Sequence, residues 1–129
     1  MSYLNVEFPG GLRVDAQLKN FVINTDQPVT SGGEGSAPSP FELFLASIAT
    51  CAGIYALSFC RNKDIDTEGM KISMDLERDS GTGLISKIKL HLKLPEDFPE
   101  KYRNAIIHSM NLCTVKKHLQ NPPEFEITT

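Results

Sequence analysis

Residues 41–60 carry a single charge, Glu42. A helix this apolar has no wet face and must be covered on nearly every side. Its start is well marked. Ser39 stands at the N-cap, Pro40 at the first helical position, where its missing N–H costs nothing, and Ser39-x-x-Glu42 makes a capping box. The stretch 43–59 is at the short limit for a membrane span and contains Ser47, Thr50, Gly53 and Ser58. With soluble-looking segments on both sides, it predicts a helix buried in the protein or at a subunit interface, with no membrane partner. One small sheet covers one side of such a helix. The rest needs a further layer, supplied either by a two-fold homodimer or by a second helix of the same chain.

At 129 residues, 40% hydrophobic and 22% charged, the chain has the makings of a single domain, 1–129, and is neither disordered, collagen-like nor a coiled coil. A net charge of -3 without a basic run argues against nucleic acid as a partner. Three cysteines are too few for a disulfide scaffold, and residues 1–8 lack a basic, then apolar, leader pattern. A reducing, cytoplasmic location is expected.

Before the helix, Tyr3, Leu4, Val6 and Phe8, a Pro9-Gly10-Gly11 turn, then Leu12, Val14, Ala16 and Leu18 give a hairpin, and residues 21–23 a third strand. Residues 26–40 are rich in Gly, Ser and Pro and form a long loop. After the helix, Met70, Ile72, Met74 and Leu76 alternate with polar residues, as do Ile88, Leu90, Leu92 and Leu94. Phe98, Tyr102, Ala105, Ile106, Ser109 and Met110 follow helical spacing. A Thr114-capped turn and a last strand at 125–128 complete the order βββ-α-ββ-α-β. Without regular βαβ alternation the fold class is α+β.

Cys51 and Cys60 are nine residues apart on one helix, roughly 13 Å of rise, so they cannot bridge each other. An intrachain disulfide would pair Cys113 with either of them. From spacing alone, all three also read as small buried hydrophobes. His91, His108 and His118 beside Cys113 suggest a metal, but the five-residue intervals turn successive side chains apart, so no metal is expected. The glycines of residues 31–36 lack the Lys-Ser/Thr sequel of a phosphate loop, and no cofactor is expected.

The run from Ser39-Pro40-Phe41-Glu42-Leu43 to Ala49-Thr50-Cys51, with a further cysteine in Leu112-Cys113-Thr114-Val115, resembles the OsmC/Ohr family of osmotically inducible and organic-hydroperoxide-resistance proteins. The sequence departs from the usual family pattern at Phe41, where a Glu is expected one residue before Glu42, as in a divergent branch. The resemblance implies an intertwined homodimer with its long helices buried. It also implies thiol-dependent reduction of an organic hydroperoxide in stress defence: Cys51 becomes a sulfenic acid, Cys113 captures it as a disulfide, and an external dithiol reopens the bond. By the same resemblance Arg13 activates the thiolate or else is an outward-facing strand residue, and Glu42 joins the catalysis or else only caps its helix. The alternative is a weakly active or non-catalytic dimer that holds a small apolar or thiol ligand at the interface.

Overall fold

The computed structural model describes residues 2–129 and divides into two compact units, one ending at Ala46 and the other spanning Ser47–Thr129. In the first, β1 (Asn5–Gly10), β2 (Arg13–Leu18) and β3 (Phe21–Ile23) form an antiparallel sheet in the order β1-β2-β3. Val6 pairs with Ala16 and Ala16 with Ile23, while the β1–β2 register shifts between Glu7 and Gly10. The alternation of apolar residues places strands correctly but not a covered face: Tyr3, Val6, Phe8 and Phe21 are all exposed in this chain.

The loop after β3 is not slack. Asp26 is wholly buried, and its carboxylate accepts hydrogen bonds from Gln27 N–H (2.7 Å) and from both the backbone N–H (3.0 Å) and hydroxyl (2.6 Å) of Ser36. Those bonds fold the segment back on itself, which removes the need for regular structure to satisfy its backbone. Gly33 is required for close approach, because a Cβ there would lie 2.0 Å from the Gln27 carbonyl oxygen.

The long helix α1 runs Pro40–Asn62. Its capping box forms: Ser39 N–H donates to Glu42 Oε1 at 2.9 Å and Glu42 N–H to Ser39 Oγ at 3.3 Å. By length and composition α1 could cross a membrane, yet Ile48, Ala52, Ala56 and Cys60 bury one stripe of it at four-residue intervals. It is a core helix.

In the second unit, β4 (Lys71–Arg78) and β5 (Ile85–Lys93) form an antiparallel pair whose register sets Ile72 opposite Leu92, Met74 opposite Leu90 and Leu76 opposite Ile88. This is the row of apolar residues that period-2 reading puts on one face. Ala52, Ala56 and Cys60 of α1 meet Leu92, and with Ile106 and Met110 of α2 (Arg103–Met110) they make the core. The helical stripe begins later than its spacing suggests: residues 100–102 form a 3-10 turn, and Ala105 is exposed. The small residues Ala52 and Ala56 let α1 approach the sheet closely.

Two expectations need correction. The turn after Cys113 is a helix, α3 (Thr114–Gln120), and its N-cap position is Cys113, one residue earlier than expected. The last strand at 125–128 is absent: residues 122–129 carry no regular secondary structure, with Phe125 and Ile127 88% and 96% exposed. Alternation of Phe125 and Ile127 with Glu124, Glu126 and Thr128 makes a strand pattern, but a strand needs a neighbour, and this chain offers it none.

Candidate active site

Of the residues singled out in the sequence, the fold brings Cys51 and Cys113 together. Cys51 lies in the part of α1 that belongs to the second unit and is partly buried. Cys113 follows the turn at 111–112 that ends α2 and is 2% exposed. That turn is what carries the second sulfur to the first: Leu112 N–H bonds Ser109 O and Cys113 N–H bonds Met110 O, so the chain leaves α2 and re-enters a helix at Thr114. The two thiols lie close enough within a single chain for each to shift the other's titration.

Their environments are unequal. Burial pushes the Cys51 thiol up, but the Cys113 side chain and the backbone N–H groups of Val115 and Thr114, the first residues of α3, stabilise its anion and hold it below the ordinary thiol value. Burial also pushes Cys113 up, and here the neighbouring Cys51 sulfur adds to the effect, which favours its protonated form. The pair is therefore biased towards an anion at Cys51 and a proton at Cys113. A thiolate is the nucleophilic form and a nearby thiol is the trap for its first oxidation product, so the arrangement suits a two-cysteine redox cycle.

Tyr55, one helical turn past Cys51, reaches across to α3. Its hydroxyl lies 2.9 Å from Thr114 Oγ1 and fastens the start of α3 to α1 beside the two sulfurs. Within an apolar run Tyr55 does not announce this contact; the signal for it is its four-residue spacing from Cys51, which puts both on one helix face.

The other candidates are engaged elsewhere. Arg13 belongs to the first unit, is exposed, and its Nε donates to the Gly10 carbonyl at 3.3 Å. Glu42, also in the first unit, accepts the Ser39 N–H in the capping box, and its carboxyl is held below the usual range by the backbone and hydroxyl of Ser39. Cys60 sits in the core, fully buried, and desolvation raises its thiol. His118 Nδ1 lies 2.8 Å from Thr114 O. Among the described residues no three His, Cys, Asp or Glu side chains are grouped as metal ligands would be.

Beside the sulfur pair lies a cavity of about 290 Å³ whose walls include Ile48, Ala52, Leu90, Met110, Cys113 and Leu119. Asn111 and Lys116 are its polar members, joined by a hydrogen bond from Lys116 Nζ to Asn111 Oδ1 of 2.6 Å.

The family described as OsmC-like protein matches residues 33–128. No curated protein matches the chain in sequence. Among solved structures, a protein described as an osmotic stress induced and detoxification response protein from Psychrobacter arcticus is 25% identical, with a TM-score of 0.76 over 91% of this chain and 87% of its own. An OsmC-like protein from Mycoplasma pneumoniae shares the fold at 18% identity and a TM-score of 0.72, over 95% and 89% of the two chains. So does a protein described as an organic hydroperoxide resistance protein from Vibrio cholerae, with captopril bound in one of its active sites. It is 19% identical, with a TM-score of 0.61 over 95% and 87%.

Proposed function

Because the chain belongs to the OsmC-like protein family, we propose that it is a thiol peroxidase that reduces organic hydroperoxides, with Cys51 as nucleophile and Cys113 as resolving residue. The observation that carries this reading is the asymmetric sulfur pair, with an anion stabilised at Cys51 and a proton retained at Cys113. The Cys51 thiolate attacks one oxygen of the hydroperoxide, the O–O bond breaks, and the alkoxide leaves and is protonated to an alcohol. Cys51 is then a sulfenic acid. The Cys113 sulfur attacks it, a disulfide forms, and water leaves. An external dithiol returns both cysteines to thiols and becomes a disulfide itself. Two electrons are transferred in each half of the cycle.

The name of the Vibrio cholerae protein supports the substrate class, and captopril, a thiol, in one of its active sites supports thiol access to such a site. We further place the protein in the cytoplasm as a homodimer, since Ile54 on α1, Phe125 and Ile127 are large apolar side chains left 51%, 88% and 96% exposed in the single chain. Arg13 is proposed to face the peroxide site in that dimer, and Glu42 to keep its cap.

The test is to treat the reduced protein with one equivalent of cumene hydroperoxide and map its disulfides by peptide mass spectrometry. A rapid Cys51–Cys113 bond is expected, and Cys51→Ser should abolish turnover. Turnover that survives Cys51→Ser overturns the assignment.

A further inference from the structure

The segment that presents Cys113 has little of its own to hold it. It leaves α2 at Met110, turns at 111–112 and enters α3, a seven-residue helix whose N-cap residue, Cys113, makes no side-chain cap bond. A helix of that length is not stable by itself, so its place is set by what fastens it. That place matters at both sulfurs. Against the effect of burial, the N–H groups of Val115 and Thr114 favour the anion at Cys51, and those of Lys116 and Val115 favour it at Cys113.

Tyr55 fastens the start of α3 to α1. A second fastening runs to α2 through one side chain. Asn111 Nδ2 donates to the Ile107 carbonyl at 3.2 Å, and Asn111 Oδ1 accepts from Lys116 Nζ at 2.6 Å. The amide has one orientation only, because an ammonium can only donate and a carbonyl only accept. Asn111 therefore ties the last turn of α2 to the first turn of α3, from two residues before Cys113 to three after it. Lys116 is half-buried in the cavity wall, which limits the freedom of its ammonium to leave Asn111 for water.

We propose that Asn111, together with Lys116, is the positioning residue of the resolving cysteine: its side-chain bridge holds Cys113 where the sulfur can close on Cys51. Both groups act through Cys113 and not on the peroxide. The proposal rests on the peroxidase reading for its place in the cycle, the step in which the Cys113 sulfur attacks the Cys51 sulfenic acid, a disulfide forms and water leaves. A disulfide needs its two Cα atoms within about 7 Å and its Cβ atoms turned toward each other. A turn loosened at 111–113 lowers the fraction of molecules that meet this condition, and closure slows in proportion. For the loss of one hydrogen bond of this kind the factor is about five.

The experiment mixes the reduced full-length protein with one equivalent of cumene hydroperoxide, samples it at intervals, and scores by mass spectrometry the dimedone adduct of Cys51 and the Cys51–Cys113 disulfide. Asn111 is exposed and methionine keeps the apolar stem of Lys116, so Asn111→Ala and Lys116→Met are both expected to fold. Each should slow closure about fivefold and move the inflection of iodoacetamide alkylation at Cys51 to higher pH. Lys116→Arg keeps a donor for Asn111 Oδ1 and should recover most of the loss. The double variant should be no slower than Asn111→Ala alone, since the two groups make one bridge. Closure at the wild-type rate in Asn111→Ala, or effects that multiply in the double variant, overturns the proposal. Closure is also timed with diamide, which joins two thiols without a peroxide. Slowing with diamide in a protein that forms no sulfenic acid supports the positioning role and removes the peroxidase reading. Failure of both oxidants to join the two cysteines overturns the two together.

Discussion

At the scale of single residues, the chemistry of Cys51 depends on three donors supplied from elsewhere in the chain: the Cys113 thiol and the N–H groups of Val115 and Thr114. Removing the first should raise the Cys51 thiol toward its ordinary value. Cys113→Ala is therefore expected to move the inflection of iodoacetamide alkylation at Cys51 to higher pH; an unmoved inflection would leave the two amides as the whole cause. Asp26 shows the opposite chemistry, a buried carboxylate that accepts hydrogen bonds on both oxygens. The side chain and then the backbone of Ser36, followed by the Gln27 backbone, lower it from 3.8 to about 2 against the opposing effect of burial. A depressed carboxylate contributes stability that is complete above its unfolded pKa and is lost as pH falls through the folded one. The thermal midpoint of the wild type should thus exceed that of Asp26→Asn at neutral pH, and the gap should close between pH 3.8 and about 2. A gap that is constant across that window would show that the carboxylate's charge is not involved.

At the scale of elements, α1 combines a local and a nonlocal logic. Its start is a local matter, with the Ser39 and Glu42 side chains each accepting from the other's backbone N–H as the capping box requires. Its middle is set by what packs on it: Ala52 and Ala56 are small where Leu92, Ile106 and Met110 approach. α3 has only seven residues and no side-chain cap, so it is too short to be stable alone and is held by its contacts. The Tyr55–Thr114 hydrogen bond is one of these. Tyr55→Phe keeps the ring and removes the hydroxyl, and should cost about 1 kcal/mol in chemical denaturation. It should also slow disulfide closure after oxidation, read as a longer-lived sulfenic acid by dimedone trapping. Thr114→Ser, which retains a hydroxyl, should behave as wild type. Unchanged closure in Tyr55→Phe would reduce the contact to packing.

At the scale of the whole molecule, the apolar surface left uncovered is the main physical fact. An all-apolar helix is expected to be covered nearly all round, yet the single chain buries the Ile48, Ala52, Ala56 and Cys60 stripe while Ile54 remains 51% exposed. The homodimer proposed above accounts for that surface. Sedimentation velocity is expected to give a dimer for the wild type and a monomer for Ile54→Lys, since a lysine buried without a partner in an apolar interface is costly. A wild-type monomer at micromolar concentration would remove the dimer.

Much of this was legible in order along the chain. The period-2 runs at 70–76 and 88–94, the capping box at Ser39 and Glu42, and the βββ-α-ββ-α sequence of elements are patterns of neighbours, and neighbour patterns are set by side-chain periodicity and local hydrogen bonding. The alternation at 125–128 misled because pattern supplies only one half of a strand. What the sequence could not decide was which cysteine Cys113 meets, that Tyr55 bonds Thr114, and that Asp26 folds its loop. Each depends on groups far apart in the chain, such as positions 51 and 113, 55 and 114, or 26 and 36, being brought within hydrogen-bonding distance. Periodicity says which way a side chain points, and only the packing of one element on another says what it finds there.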